Sequence, residues 1–202
     1  MSFRLAALVL VSTLCGGGFA AAQETPGPGR VEVTYMPAGA GFVASKGDSP
    51  SFGNYGFGTS VTLNVNRYIG VEGELATMIA TTSDLQFGDL NHNIKAPNML
   101  SYSGNVVLAP FGAHSVVPYA TAGIGGLSMF ERPQLGVFDD QTLLTANGGG
   151  GVKWYAPNNR WGIRADYRFA ATRSQDDAPQ FFGRETRYIH RVYGGIIINS
   201  GR

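Results

Sequence analysis

Residues 57–66 read FGTSVTLNVN. Phe57, Thr59, Val61, Leu63 and Val65 share one parity, and Gly58, Ser60, Thr62, Asn64 and Asn66 share the other. Side chains on a strand point to alternate faces, so this run reads as a strand with one apolar and one polar face. The pattern repeats outward in both directions. Val71, Gly73, Leu75 and Thr77 oppose Glu72, Glu74 and Ala76. Ile163, Ala165, Tyr167 and Phe169 oppose Arg164, Asp166 and Arg168, and Val192, Gly194, Ile196 and Ile198 oppose Arg191, Tyr193, Gly195 and Ile197.

Eight such segments are expected, at 30–37, 54–66, 69–80, 98–109, 116–128, 143–156, 161–172 and 186–199. A tilted strand crossing a bilayer needs about 9–11 residues, and most of these segments reach that length. The connections alternate. Those at 38–53, 81–97, 129–142 and 173–185 are long and polar; those at 67–68, 110–115 and 157–160 are short. This plan predicts an all-β fold, a closed eight-stranded antiparallel up-and-down transmembrane β-barrel, with both termini beside the short turns. Every backbone N–H and C=O within lipid must be paired internally, so the first strand is expected to pair with the last.

Composition sets the bounds. The 202 residues carry 15 Lys and Arg against 14 Asp and Glu, a formal net charge of +1, which argues against a dedicated nucleic-acid binder. Charged residues are 14%, far below the roughly 25% of soluble domains. Mean hydropathy is −0.02, and no apolar run reaches the roughly 18 residues of a membrane helix.

Residues 1–22 read as a signal peptide: Arg4, the apolar stretch from Leu5 to Leu14, and the small residues Ala20, Ala21 and Ala22 before Gln23. Cys15, the only cysteine, lies within this leader and follows Leu14, where a lipoprotein would carry a small residue. The exported chain is therefore expected to lack disulfides and thiol chemistry. Residues 23–29 (QETPGPG) read as a short linker to a barrel over 30–202.

Alternation alone leaves two orientations. A soluble barrel of the lipocalin kind holds its apolar face inside; a membrane barrel inverts this. Here the polar face is mostly Gly, Ser, Thr and Asn, which suit a narrow interior rather than a solvated exterior. Aromatics also gather by the short turns: Tyr68, Phe111, Tyr119, Trp154, Tyr155 and Trp161. They are expected to form an interfacial girdle. By parity the interior then holds Glu32, Glu72, Glu74 and Asp166 together with Lys153, Arg164, Arg168 and Arg191. Unpaired charges there would be costly, so a balanced network filling the lumen is expected. The alternative is a narrow pore whose charges select ions.

No cofactor or metal site is expected. His92, His114 and His190 lie in separate segments without ligand spacing. Gly148 to Gly151 falls inside a strand with no helix after it, so it is not a phosphate loop. His190, with Ser174 and Glu185 at neighbouring loop ends, has the residue types of a lipid-modifying hydrolase, but no serine adjoins it. An enzyme is not expected.

The runs YGFGTSVTLNVNRYIGVEGEL (55–75), VPYATAGIGG (117–126) and GGGGVKWYAPNNRWGIRADYRF (148–169) resemble the OmpA-like transmembrane β-barrel family of small outer-membrane proteins. The resemblance covers about 30–202 and implies an eight-stranded outer-membrane barrel with surface loops and a polar interior. Two departures stand out. Many members end on an aromatic residue, whereas this sequence ends Ile198, Asn199, Ser200, Gly201, Arg202. Some members carry a peptidoglycan-binding domain after the barrel, and none is expected here. The expected function is structural, adhesive or limited-permeability, in the outer membrane of a Gram-negative-type bacterium, as a monomer in contact with lipopolysaccharide. Loop aromatics Phe130, Phe138, Phe181 and Phe182 are the candidate contacts for a surface or host partner.

Overall fold

The computed structural model describes residues 27–44, 51–80, 82–87, 90–95, 98–112, 114–130, 141–173 and 186–200. Among them are ten strands: β1 (Val31–Val43), β2 (Phe52–Asn64), β3 (Ile69–Ala80), β4 (Thr82–Phe87), β5 (Leu90–Lys95), β6 (Met99–Leu108), β7 (Val116–Met129), β8 (Gln141–Tyr155), β9 (Trp161–Arg173) and β10 (Thr186–Ser200). Eight close into a barrel in the order β1-β10-β9-β8-β7-β6-β3-β2, and every neighbouring pair is antiparallel. β1 pairs with β10 from Val31 opposite Ser200 to Val43 opposite Ile189, so the wall has no free edge.

The offset of this wall can be followed along one row of paired residues. Met129 stands opposite Met99, then Met78, Gly56, Gly39, Tyr193, Asp166, Gly151 and finally Tyr119. The row returns to β7 ten residues from its start. With ordinary strand spacings, that offset around eight strands tilts each strand by about 40° from the barrel axis. All residues of the row have lumen parity, so one row climbs from the short-turn end to the loop end.

Besides shifts of a residue or two at strand ends, two larger differences from the sequence expectation appear. β1 continues past Pro37 to Val43, because a bulge absorbs the proline: the register shifts between Tyr35 and Ala38 on one side and between Met36 and Gly39 on the other. The Tyr55 hydroxyl donates to the Pro37 carbonyl at this irregularity. The segment expected as a loop at 81–97 contains a two-stranded hairpin, β4 with β5, outside the barrel sheet. Its polar residues conceal a pairing that the barrel alternation does not require.

The short turns have local causes. Asn66 Oδ1 accepts from the amides of Tyr68 (2.8 Å) and Ile69 (2.9 Å), folding the β2–β3 turn over its own side chain. Asn159 holds the β8–β9 turn with a φ of 51°, a left-handed conformation asparagine tolerates.

Candidate functional site in the barrel lumen

Parity sorts the wall into two faces. Val61, Leu63, Val71, Leu75, Val106, Ile163, Val192 and Ile196 are exposed on the outside, while Ser60, Thr62, Glu72, Asn105 and Arg164 are buried inside. The outer face is thus apolar and the lumen polar, the reverse of a soluble barrel. Along β10, ten residues separate Ile198, opposite Trp161, from Tyr188. At about 3.3 Å per residue and about 40° of tilt, the apolar face rises about 25 Å, the height of an outer-membrane barrel's lipid band.

All eight charged residues placed in the lumen by parity are there, each at most 5% exposed. Arg164 Nη1 lies 2.5 Å from Glu72 Oε2, and the same guanidinium pairs with Asp166. Arg168 joins three acids: Glu72 (2.6 Å), Asp166 (2.9 Å) and Glu74 (3.2 Å). Arg191 reaches Glu74 at 3.2 Å. Toward the short-turn end, Lys153 Nζ lies 2.5 Å from Glu32 Oε2. Hydroxyls and amides complete the shell: Ser60 (3.3 Å) and Thr62 (3.2 Å) donate to Glu72. Arg168 also donates to Thr121 and Asn147. Within this network four acids face four bases, so the eight residues balance one another. A buried pair of this kind contributes little net stability over an apolar filling, but losing one partner leaves an uncompensated charge.

Tyr119 and Tyr155 correct the girdle. They are 5% and 0% exposed and lie in the lumen. The Tyr119 hydroxyl donates to Asp166 (2.5 Å) and accepts from Arg164 Nε (2.7 Å); the Tyr155 hydroxyl donates to Glu32 (2.5 Å). Their rings join Val107, Ala109, Val117 and Ile197 in an apolar layer at the short-turn end. Nearness to a turn suggested the girdle, but parity with Val117 and Lys153 sends both side chains inward. Tyr68, Phe111 and Trp161 are exposed on the outside, and Trp154 packs edge-on against Trp161 with centroids 5.4 Å apart. A second aromatic band near the loops includes Phe42, Tyr55, Tyr102, Tyr167, Phe169 and Tyr188, all exposed. Strand alternation carried this signal, since each shares parity with an outward aliphatic neighbour.

His190 sits in that upper band. Its Nδ1 is 2.8 Å from the Tyr167 hydroxyl, and its ring meets Phe169 edge-on at 5.3 Å. Ser174 and Glu185 lie outside the described residues, as do residues 1–26, Phe138, Phe181 and Phe182. Phe130 is exposed just past β7, its amide donating to the Asn98 carbonyl. His114 is exposed in the β6–β7 turn, and among the described residues no cluster of three His, Cys, Asp or Glu could hold a metal.

Two features escaped the sequence reading. Arg187 is buried near the loop end and donates to the Ala44 carbonyl from Nε (3.1 Å) and Nη2 (2.8 Å). The end of the stretch expected as a linker, Gly27 to Gly29, is buried against the short-turn mouth. Gly27 N donates to Asn159 Oδ1 (2.9 Å), Asn199 Nδ2 to Gly27 O (3.3 Å) and Asn64 Nδ2 to Gly29 O (2.6 Å).

An edgeless barrel, apolar outside and charged inside, with aromatic bands at both ends, defines a membrane-spanning β-barrel. The chain belongs to the outer membrane protein β-barrel domain family, which it matches over residues 6–184. Its fold is that of small outer-membrane barrels of known structure. Neisserial surface protein A superposes with a TM-score of 0.59 at 16% identity, covering 84% of this chain and 97% of that one. OprG of Pseudomonas aeruginosa gives 0.57 at 14% identity, covering 90% and 100%. Ail, the attachment invasion locus protein of Yersinia pestis, solved with the heparin analogue sucrose octasulfate, gives 0.50 at 16% identity, covering 85% and 99%. No curated protein sequence matches the chain.

Proposed function

We propose that this chain is a monomeric outer-membrane barrel with a closed lumen, whose contacts with the outside are made by its long loops. In this reading residues 1–22 direct export and are removed, and the short turns face the periplasm. The chain makes its lipid contacts, lipopolysaccharide included, through the two aromatic bands, and it is not an enzyme. The carrying observation is the ion-paired network of Glu72, Arg164, Asp166 and Arg168, all buried across the middle of the lumen. An eight-stranded interior is just wide enough for side chains to fill, and here charged side chains that hold one another fill it. Planar-bilayer recording of the purified barrel tests this: no steady conductance is expected, and a large, persistent one overturns it in favour of a pore. Binding of whole cells to sulfated polysaccharide, with and without deletion of Phe181 and Phe182, tests the loops. Unchanged binding after deletion counts against a partner role for that pair.

A further inference from the structure

The loop-side half of the lumen holds a second chemistry that the ion pairs do not use. The chain has five methionines. Apart from Met1, all of them (Met36, Met78, Met99 and Met129) are fully buried in the barrel. Three stand in one row: Met78 is opposite Met99 on β3 and β6, and Met99 is opposite Met129 on β6 and β7. Directly paired residues carry Cβ atoms about 4.5–5.5 Å apart, and a concave wall draws inward side chains closer. We propose that Met78, Met99 and Met129 form a thioether site for a soft monovalent cation of the copper(I) or silver(I) class.

The donor set fits that class. Thioethers are neutral and polarizable; they favour copper(I) and bind hard divalent ions poorly. Of the neighbouring lumen residues, Leu127 and Leu143, paired across β7 and β8, are apolar, and Ser101, two residues from Met99 on β6, carries a neutral hydroxyl rather than a carboxylate. The ion-paired network below sets four acids against four bases, and the further buried cation of the loop-side half, Arg187, turns its guanidinium to the Ala44 carbonyl. The Met78 sulfur lies over Gly41, 2.7 Å from where a Cβ at that residue would stand, while the Tyr193 ring fills the space over Gly56 opposite Met78. Three rotatable bonds let Met78 swing from there toward Met99. Methionine used only as core filler would need no register across three strands, and leucine would fill the same volume.

Silver(I), which needs no reductant, is the probe. The purified full-length barrel in a chloride-free detergent buffer is titrated by calorimetry, and the bound metal is examined by X-ray absorption. One equivalent bound with sulfur-only neighbours is expected. Met99→Leu, the middle of the row, should weaken binding at least tenfold, whereas Met36→Leu, buried outside the row, should change it less than twofold. Cold-SDS gel mobility verifies that each variant is folded, and leucine for methionine keeps the core volume. No saturable binding, or equal binding by the folded Met99→Leu variant, overturns the proposal.

Discussion

Tyr119 crosses Gly151 to donate a hydrogen bond from its hydroxyl to Asp166. The two ends of this contact lie on β7 and β9, and the strand between them, β8, has glycine where the ring must pass. A Cβ at Gly151 would stand 2.9 Å from the Tyr119 oxygen and 2.0 Å from the Ala165 carbonyl. Tyr193 makes the same kind of crossing over Gly39 and Gly56, where added Cβ atoms would come within 2.3 and 3.0 Å of its ring. The glycine-rich walls thus leave space for large side chains from neighbouring strands.

Removing the Tyr119 hydroxyl should therefore cost more than a surface tyrosine would. Tyr119→Phe leaves Asp166 and Arg164 each short of one buried partner, a loss of about 1–3 kcal/mol. Urea unfolding of the barrel in lipid vesicles, followed by tryptophan fluorescence, should show a lower midpoint with an unchanged slope.

The Glu32–Lys153 pair separates charge from shape. Lys153→Met strands a buried carboxylate and should cost about 3–5 kcal/mol. Adding Glu32→Leu should recover most of that loss in the same urea measurement. A double variant no better than the single one would mean that packing rather than charge sets the cost.

Two pairs of wall glycines should respond oppositely. At Gly125 and Gly149 in the lumen, a Cβ would lie 1.9 Å and 2.0 Å from neighbouring-strand carbonyls, so Gly→Ala there forces the wall apart. Folding yield, read as the heat-modifiable fraction on cold-SDS gels, should collapse. Gly73 and Gly104 face outward with nothing within 4 Å of an added Cβ, and alanine at either should leave the yield unchanged.

The seal at the short-turn mouth depends on Asn159. Asn159→Ala removes the acceptor for Gly27 N and puts alanine at a φ of 51°, together costing about 1–2 kcal/mol. Hydrogen exchange at the Gly27 amide should accelerate markedly, while strand amides of β9 keep their protection.

Parity made most of this legible. One period-two rule, read from 57–66 and its repeats, placed eight strands and eight of the nine charges buried among the described residues, Arg187 being the ninth, because a closed wall leaves each side chain only two directions. It went astray where a second cue displaced it. Nearness to a turn places Tyr119 and Tyr155 in the girdle, although parity with Val117 and Lys153 points both inward. Pro37 read as a strand end because a single sequence does not announce the bulge that accommodates it. The β4–β5 hairpin lies beyond the barrel, where no buried face enforces alternation. Partner choice across the lumen, such as Arg168 with three acids, depends on the ten-residue offset of the wall, a property of all the pairings together.

The seam between β1 and β10 has a consequence for how freely this chain could be rewired. Val31 and Ser200 are direct neighbours at the same end as the short turns, so a few residues could join them as a further turn of the same kind. The barrel would then be a ring without a natural beginning. A circular permutant opened in any long loop would present the same wall, lumen network and methionine row from a new first strand. The order in which the strands are synthesised could thus be changed while the finished barrel stayed the same.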